Sequence, residues 1–408
     1  MNITSISHRP IQRGSLAAVL LAAGLQLSLV ALPIGSLRAG GANEERNAFS
    51  WKNLQSDIAG VAKRTDPNLV NSWGLTINTT AKVFWIADNG AGVSTLYRPD
   101  GSPVLLPSTP AQNFVTLPPT AIDPPTPPAL VGTATPTGIV FNNPATNAFF
   151  IPGTKNPAIF IFDGEDGGIW GWNPAVNLLN ATLIIQPASP DPTTNSVYKG
   201  LALANRTPGG LTLYATNFRN GTVDLFDSSF NPVTLAGAFV DPNLPKGYGP
   251  FGIATFDNLI YVTYAKQNDE KHDDVAGPGN GFVDVFDTQG NLITRLISRG
   301  PLNSPWGLAE VPHKFGKIGH NFFDNFFHDV LLVGNFGDGK INAFDIHTGA
   351  PLGPLKNRRG DALAFNGLWA LFFFDERLYF TAGIGDESHG LFGVIKPVEK
   401  EEEEDFHE

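Results

Sequence analysis

The sequence predicts an all-β chain: a six-bladed β-propeller of four-stranded antiparallel blades, its ring closed by an N-terminal strand that joins the last blade. Three observations point there. A short phrase recurs six times: NSWGLTI at Gly74, TPTGIVF at Gly138, VYKGLAL at Gly200, GPFGIAT at Gly252, SPWGLAE at Gly307 and AFNGLWA at Gly367. Successive glycines lie 64, 62, 52, 55 and 60 residues apart, a spacing characteristic of repeat architectures. Each copy is followed by an apolar run, a polar glycine-bearing turn and an alternating run such as TVDLFD, which reads as strands joined by hairpins. No segment sustains a helical period, and four antiparallel strands repeated radially make a propeller.

Along the chain, residues 1–39 read as a secretory signal: Arg9 and Arg13 precede an uncharged apolar run from Ser15 to Leu37, and Ala39 offers a small residue before a cut. An uncleaved anchor is the alternative. No later stretch is long and apolar enough to span a bilayer, so the mature chain is expected in the periplasm or outside the cell, with no membrane span. The propeller is assigned to residues 45–397, with the stretch from Trp51 to Ile58 as the outer strand of the last blade, which leaves no open sheet edge. In the second unit AFFIPGTKNPAIFIF reads as strand B, turn and strand C, which puts Lys155 in a B-to-C turn. The proline-rich segment 106–138 reads as a stiff surface loop around a short strand NFVTL, and NLITRLISRG reads as an outer strand of the fourth unit. An insert between strands A and B of the fifth unit, 311–330, holds three histidines at spacings of seven and eight; aromatic packing suits it better than metal binding. The tail 398–408 is acidic and is expected to be solvated, with EKEEEEDFHE contributing −6 of the net −11.

Composition narrows the function classes. Hydrophobic residues make up 42% and charged residues 16%, as in a globular chain. The chain has no cysteine, which excludes disulfides, thiolate chemistry and cysteine-held metals. No basic stripe offers a surface for nucleic acid.

In a propeller the D-to-A connections and the B-to-C loops share one face, around the mouth of the central channel, and functional residues gather on such loops. The ends of the B strands bring Asp88, Asn217 and Asn335 to equivalent places, and with Asp274 they form the expected oxygen-rich metal set, calcium being the cation for such ligands. The loop at 265–281 is much longer than its counterparts and holds Asp269, Glu270, His272, Asp273 and Asp274; a solvated acidic loop accounts for it as well as a metal site does. His272, Asp273 and His389 are the candidate catalytic groups, a histidine beside a bound metal being a ready general base. Asn71, Lys199, Arg219, Tyr248, Asn303 and Asn366 are the candidate ligand-binding residues. Trp73, Trp306 and Trp369 read as packing residues between blades.

The segment WIADNGAGVSTLYRPDG resembles the NHL-repeat class of propeller. NLVNSWGL, KHDDVAGPGNGFVDVFD, LLVGNFGDGKINAFD and LYFTAGIGDESHGLFG together resemble an uncharacterised family of exported bacterial proteins, some with a PEP-CTERM sorting signal, over roughly residues 50–396. That resemblance implies export and the propeller but no reaction. A further likeness, to calcium-dependent lactonases of the gluconolactonase type, implies a channel metal held by Asp88, Asn217 and Asn335. The expected function is therefore a monomeric exported propeller that binds a small molecule or an extracytoplasmic protein. The alternative is a calcium-dependent lactonase or related hydrolase.

Overall fold

The computed structural model describes residues 48–107, 112–120, 132–187, 193–312, 315–316 and 329–398; the expected signal segment, the tail from 399 and most of the histidine-bearing insert lie outside the described residues. The strands form six sheets around a central axis, antiparallel throughout except that the two-residue strand Arg64–Thr65 pairs parallel to Phe49–Ser56 at the edge of the last blade. The inner strands, A, are Ser72–Asn78, Pro136–Phe141, Tyr198–Arg206, Tyr248–Phe256, Pro305–Val311 and Leu368–Phe374. Among the described residues the only helical turn is the 3-10 segment Pro144–Thr146, and no helix is long and apolar enough to cross a membrane.

Ring closure is as expected, two residues earlier in the chain. Phe49–Ser56 pairs antiparallel with Leu391–Pro397, Trp51 standing opposite Ile395. Phe49 is fully buried and its ring lies 5.4 Å from that of Phe315. This outer strand thus anchors the last blade by side chains as well as by its hydrogen-bond ladder.

The recurring phrase has a structural reason. In every blade the pairing of strands A and B slips at the phrase, between Ser72 and Leu75 in the first, Pro136 and Ile139 in the second, and likewise through the ring. Such bulges bend a strand and re-aim its side chains. At the bend the backbone of the next blade comes very close. A Cβ on Gly74 would lie 2.4 Å from the carbonyl oxygen of Thr137, and one on Gly252 would lie 2.0 Å from that of Trp306. The sixth copy is a correction: Gly367 precedes its strand, and Leu371 opposite Phe380 matches Leu75 opposite Ile86, so Ala370 holds the glycine's place.

Blade two is a second correction. Its strands B and C are Phe160–Gly164 and Ile169–Trp172, not the earlier AFFIPG run, so Lys155 lies in the A-to-B connection. Phe150 makes only an isolated bridge to Pro157. The B-to-C turn is the tetrapeptide from Glu165 to Gly168. Between blades the faces pack through large rings, as where Trp85 of the first blade stacks on Phe160 of the second at 4.0 Å.

Candidate functional site

The residue before each phrase glycine, or before Ala370, comes in turn from all six blades: Trp73, Thr137, Lys199, Phe251, Trp306 and Trp369. Four of these rings meet in one core. Trp73 stacks on Trp369 at 3.4 Å, Trp306 meets both edge-on at 6.1 and 5.8 Å, and Phe251 lies 5.9 Å from Trp369. Phe218 and Phe336, from the turns after strand B of blades three and five, complete an aromatic plug. The tryptophans are therefore packing residues between blades, and they meet at the axis, where blades five, six and one come together.

Lys199 is the one charged member of this ring, and it is only 2% exposed. Its Nζ lies 5.1 Å from the centre of the Trp73 ring, a cation–π contact that aromatic faces favour. The backbone oxygen of Lys199 accepts a bond of 2.7 Å from the Trp306 indole. The ammonium donates to Glu165 of blade two and lies 3.6 Å from Asp273 of blade four. Burial alone would lower the lysine, but Glu165 and Asp273 outweigh it and hold the ammonium above its usual range.

The bonding runs on around the mouth. Asn89 donates to Glu165 at 2.9 Å, and Asn71 donates to Asn89 at 3.2 Å and to Glu387 of blade six at 3.0 Å. Asn71 and Glu387 both sit in the left-handed region, at φ of 47° and 61°. That conformation costs a residue with a Cβ roughly 1–2 kcal/mol and is held where the surroundings over-determine it. Burial, and next the charge of Glu165, push Glu387 up to about 7, with Lys199 opposing. His272 is buried, and its Nδ1 lies 2.7 Å from Asp273. Burial would raise Asp273, yet the His272 bond and the Lys199 charge hold it well below the ordinary carboxylate range. Burial lifts Asp274, with Ser304 and Lys199 partly offsetting it. Ligand atoms of Glu165, His272 and Asp273 lie within 4.8 Å of one another, and His272 Nε2 is buried without a hydrogen-bond partner.

Of the expected residues, Lys199, Asn71, His272 and Asp273 thus meet at the mouth, and Asp274, hydrogen-bonded to Ser304, lies within reach of the charges of Lys199 and Asp273. The others bond elsewhere. Asp88 accepts from Ser72 at 2.7 Å and from Thr95 at 2.7 Å, inside its own sheet. Asn217 donates to Ser196 and Asp224, and Asn335 to the Pro301 carbonyl and Asp338. Arg219 donates to the Asn195 carbonyl, the Tyr248 hydroxyl lies 3.3 Å from Asn280, and Asn303 accepts from the Gly277 amide. Asn366 is exposed and accepts from Gly385. His389 lies 2.6 Å from Asp57, just beyond the closing strand.

Glu165, Asn89 and Glu387 are assigned no role by the sequence, although Asn89 and the GDESHG turn that holds Glu387 fall on the B-to-C loops of this face. The signal for the first two is register. Successive strand residues face opposite ways. Asp88, Asn217 and Asn335 end their strands facing the sheet, and the residue after each, Asn89, Phe218 and Phe336, faces the axis. Glu165 holds that place in blade two.

The site is thus a buried lysine on the axis of a six-bladed propeller, ringed by carboxylates and amides from four other blades. No family model matches the chain. It is 30% identical over 362 residues to "Uncharacterized protein R648" of Acanthamoeba polyphaga mimivirus, covering 86% of this chain and 81% of that one, and it belongs to that protein's family. "Uncharacterized protein L690" of the same virus is 28% identical over 360 residues, covering 86% of this chain and 87% of the relative. These relatives are viral, unlike the exported bacterial proteins that the repeat motifs resemble. Among solved structures, virginiamycin B lyase from Staphylococcus aureus aligns with 12% identity and a TM-score of 0.43, over 86% of this chain and 100% of that one. A glucose dehydrogenase aligns with 13% identity and a TM-score of 0.47, over 86% and 100%.

Proposed function

We propose that the protein is a receptor for a small polar molecule, neutral or cationic, bound at the channel mouth beside Lys199. The observation that carries this is the imbalance of the mouth: one ammonium faces Glu165, Asp273 and Glu387, and the Asp273 side chain is still 50% exposed. Acceptors therefore outnumber donors, and a ligand rich in hydroxyl or amino groups satisfies them where an anion is repelled. Asn71 and Glu387, held in strained conformations, are pre-set for such contacts. The aromatic plug gives the ligand a floor. The reading retains export on the N-terminal signal pattern, a monomer, and a small molecule or an extracytoplasmic protein as partner. Calorimetry with matched polyols, polyamines and polyacids tests it. Saturable binding of polyols or amines that weakens at least tenfold in Glu165→Gln and Glu387→Gln supports it; preference for the polyacids sinks it.

A second reading has its own observation, the closeness of Glu165, His272 and Asp273. It is a metal-dependent hydrolase of the lactonase kind, in which a cation polarises the substrate carbonyl. One imidazole and two carboxylates suit a transition metal better than calcium, which prefers more oxygens. The Lys199 ammonium also stands between Glu165 and Asp273, so a cation there has to displace it. The donor set does not fit calcium. Calcium and manganese titrations of metal-free protein separate the readings, since a melting temperature indifferent to both leaves the receptor.

A further inference from the structure

Beyond the plug, toward the A-to-B turns, the channel widens into a cavity of about 440 Å³. That is within the range of small-molecule sites. Every inner strand lends it an aliphatic residue just after the phrase glycine or its equivalent: Leu75, Ile139, Leu201, Ile253, Leu308 and Leu371. Its mouth lies at the strand ends, where Phe256 and Phe373 are half-buried and Leu75 and Leu308, deeper in, are buried. Trp306 belongs to both the plug and the chamber wall, so the plug divides this chamber from the ionic mouth.

One acid interrupts the apolar lining. Glu310 lies near the end of the fifth inner strand, and among the described residues no ion pair reaches it. Asp257, in the fourth blade's A-to-B turn, and Asp329, just before the fifth blade's strand B, add their charges beside it. Burial, then these two acids, hold the Glu310 carboxyl above its usual value. A half-buried carboxylate with acidic neighbours and no cation of its own favours a cation that brings an apolar body with it.

We infer that this chamber is a second binding site, distinct from the mouth beside Lys199, for a small amphiphilic ammonium compound whose hydrocarbon part fills the channel and whose charged head meets Glu310. The inference is independent of the receptor reading. An anion of the same shape meets three carboxylates at the rim and is excluded; the matched alcohol fills the chamber without the charge. Each methylene that enters the chamber tightens binding about fourfold.

The test is calorimetry on the full chain with octylammonium, octanol and octanoate, and with hexylammonium for chain length. Expected are one saturable octylammonium site per chain, about tenfold weaker octanol binding, no octanoate binding, and a hexylammonium affinity lower by roughly fifteenfold for two methylenes. Glu310→Gln should bring octylammonium down to the level of octanol. Ile253→Trp, whose half-buried side chain lines the chamber, should abolish binding; if that variant does not fold, Leu308→Phe on the neighbouring inner strand makes the same test. A polyol in excess at the mouth should leave octylammonium binding unchanged, which separates a failure here from a failure of the receptor reading. Absence of saturable octylammonium binding overturns the inference. So does octanoate binding as tightly as octylammonium, or affinity that survives the chamber-filling variant.

Discussion

Replacing Lys199 with methionine tests the centre of the site most directly. The side chains are similar in length, so the aromatic contacts with Trp73 and Phe218 persist while the charge goes. What is lost is the ammonium that compensates Glu165, whose side chain is 12% exposed, and Asp273, at 50%. Removing one partner of a fully buried ion pair costs about 3–5 kcal/mol. Here Glu165 bears most of that cost, while solvent screens Asp273 to about 1 kcal/mol or less. The expected loss is about 2–4 kcal/mol, which at roughly 2 °C per kcal/mol for a chain of this size lowers the melting temperature by about 4–8 °C. The pH dependence is the sharper part. Asp273 has a depressed pKa in the folded protein, so its contribution is present above the unfolded value, near 3.9, and fades as pH falls toward the folded one. The lysine supports much of that depression. The gap between wild type and Lys199→Met should therefore be widest near pH 7 and narrow at pH 4 and below, by no more than the roughly 1 kcal/mol that Asp273 carries. Calorimetric melting at pH 4, 5.5 and 7 reads it out. An unchanged melting temperature at pH 7, or a gap that ignores pH, would refute the reasoning.

Other predictions follow from the same geometry. Glu387→Gln should stabilise the protein at pH 8 by about 2 kcal/mol and do little at pH 4: the folded pKa is raised, so the native carboxylate loses stability as pH rises from about 4.5 to about 7, and the amide does not. Denaturant melts at the two pH values check this. Gly74→Ala drives a Cβ onto the Thr137 carbonyl, 2.4 Å away, and should cost at least about 2–3 kcal/mol, while Gly60→Ala, with open space around its Cβ but φ of 82°, should cost only about 1 kcal/mol. Phe49→Ala removes a fully buried ring from the closing strand and should cost about 3–5 kcal/mol; a melting temperature within 2 °C of wild type would show that the last blade stands without it.

The number of blades and the closure were legible because both rest on repetition. The Trp-Gly phrase recurs since the bulge it forms recurs, and the missing outer strand of the last unit is a matter of counting. The site was less legible, for two physical reasons. A strand's side chains alternate in direction, so an error of one residue selects the wrong face: Asp88, Asn217 and Asn335 look like a polar ring in sequence and bond to their own sheets and the adjoining turns, while Asn89 beside Asp88 faces the axis. And an extra apolar run in blade two, AFFIPG, has the composition of a strand but pairs through a single bridge, which hid Glu165 in what read as the end of a hairpin. Lys199 was legible as a polar residue near the mouth. Its position among aromatic rings follows only once the six phrases are aligned by register, when a lysine stands where other blades put tryptophan or phenylalanine.

The closing strand has a consequence for how the chain reaches this state. Phe49–Ser56 is made some 335 residues before its partner Leu391–Pro397. Until then the strand has no ladder to join, and the last sheet has no outer edge. Contacts so far apart in sequence slow folding, because a long loop must close before they form. The ring should therefore assemble blade by blade and become cooperative only at its final pairing. Refolding would then show a slow phase that Phe49→Ala lengthens, while substitutions within the third blade leave it alone. A ribosome-bound chain lacking the last blade would present an open edge at each end, the state in which this fold is most exposed to pairing with a neighbour.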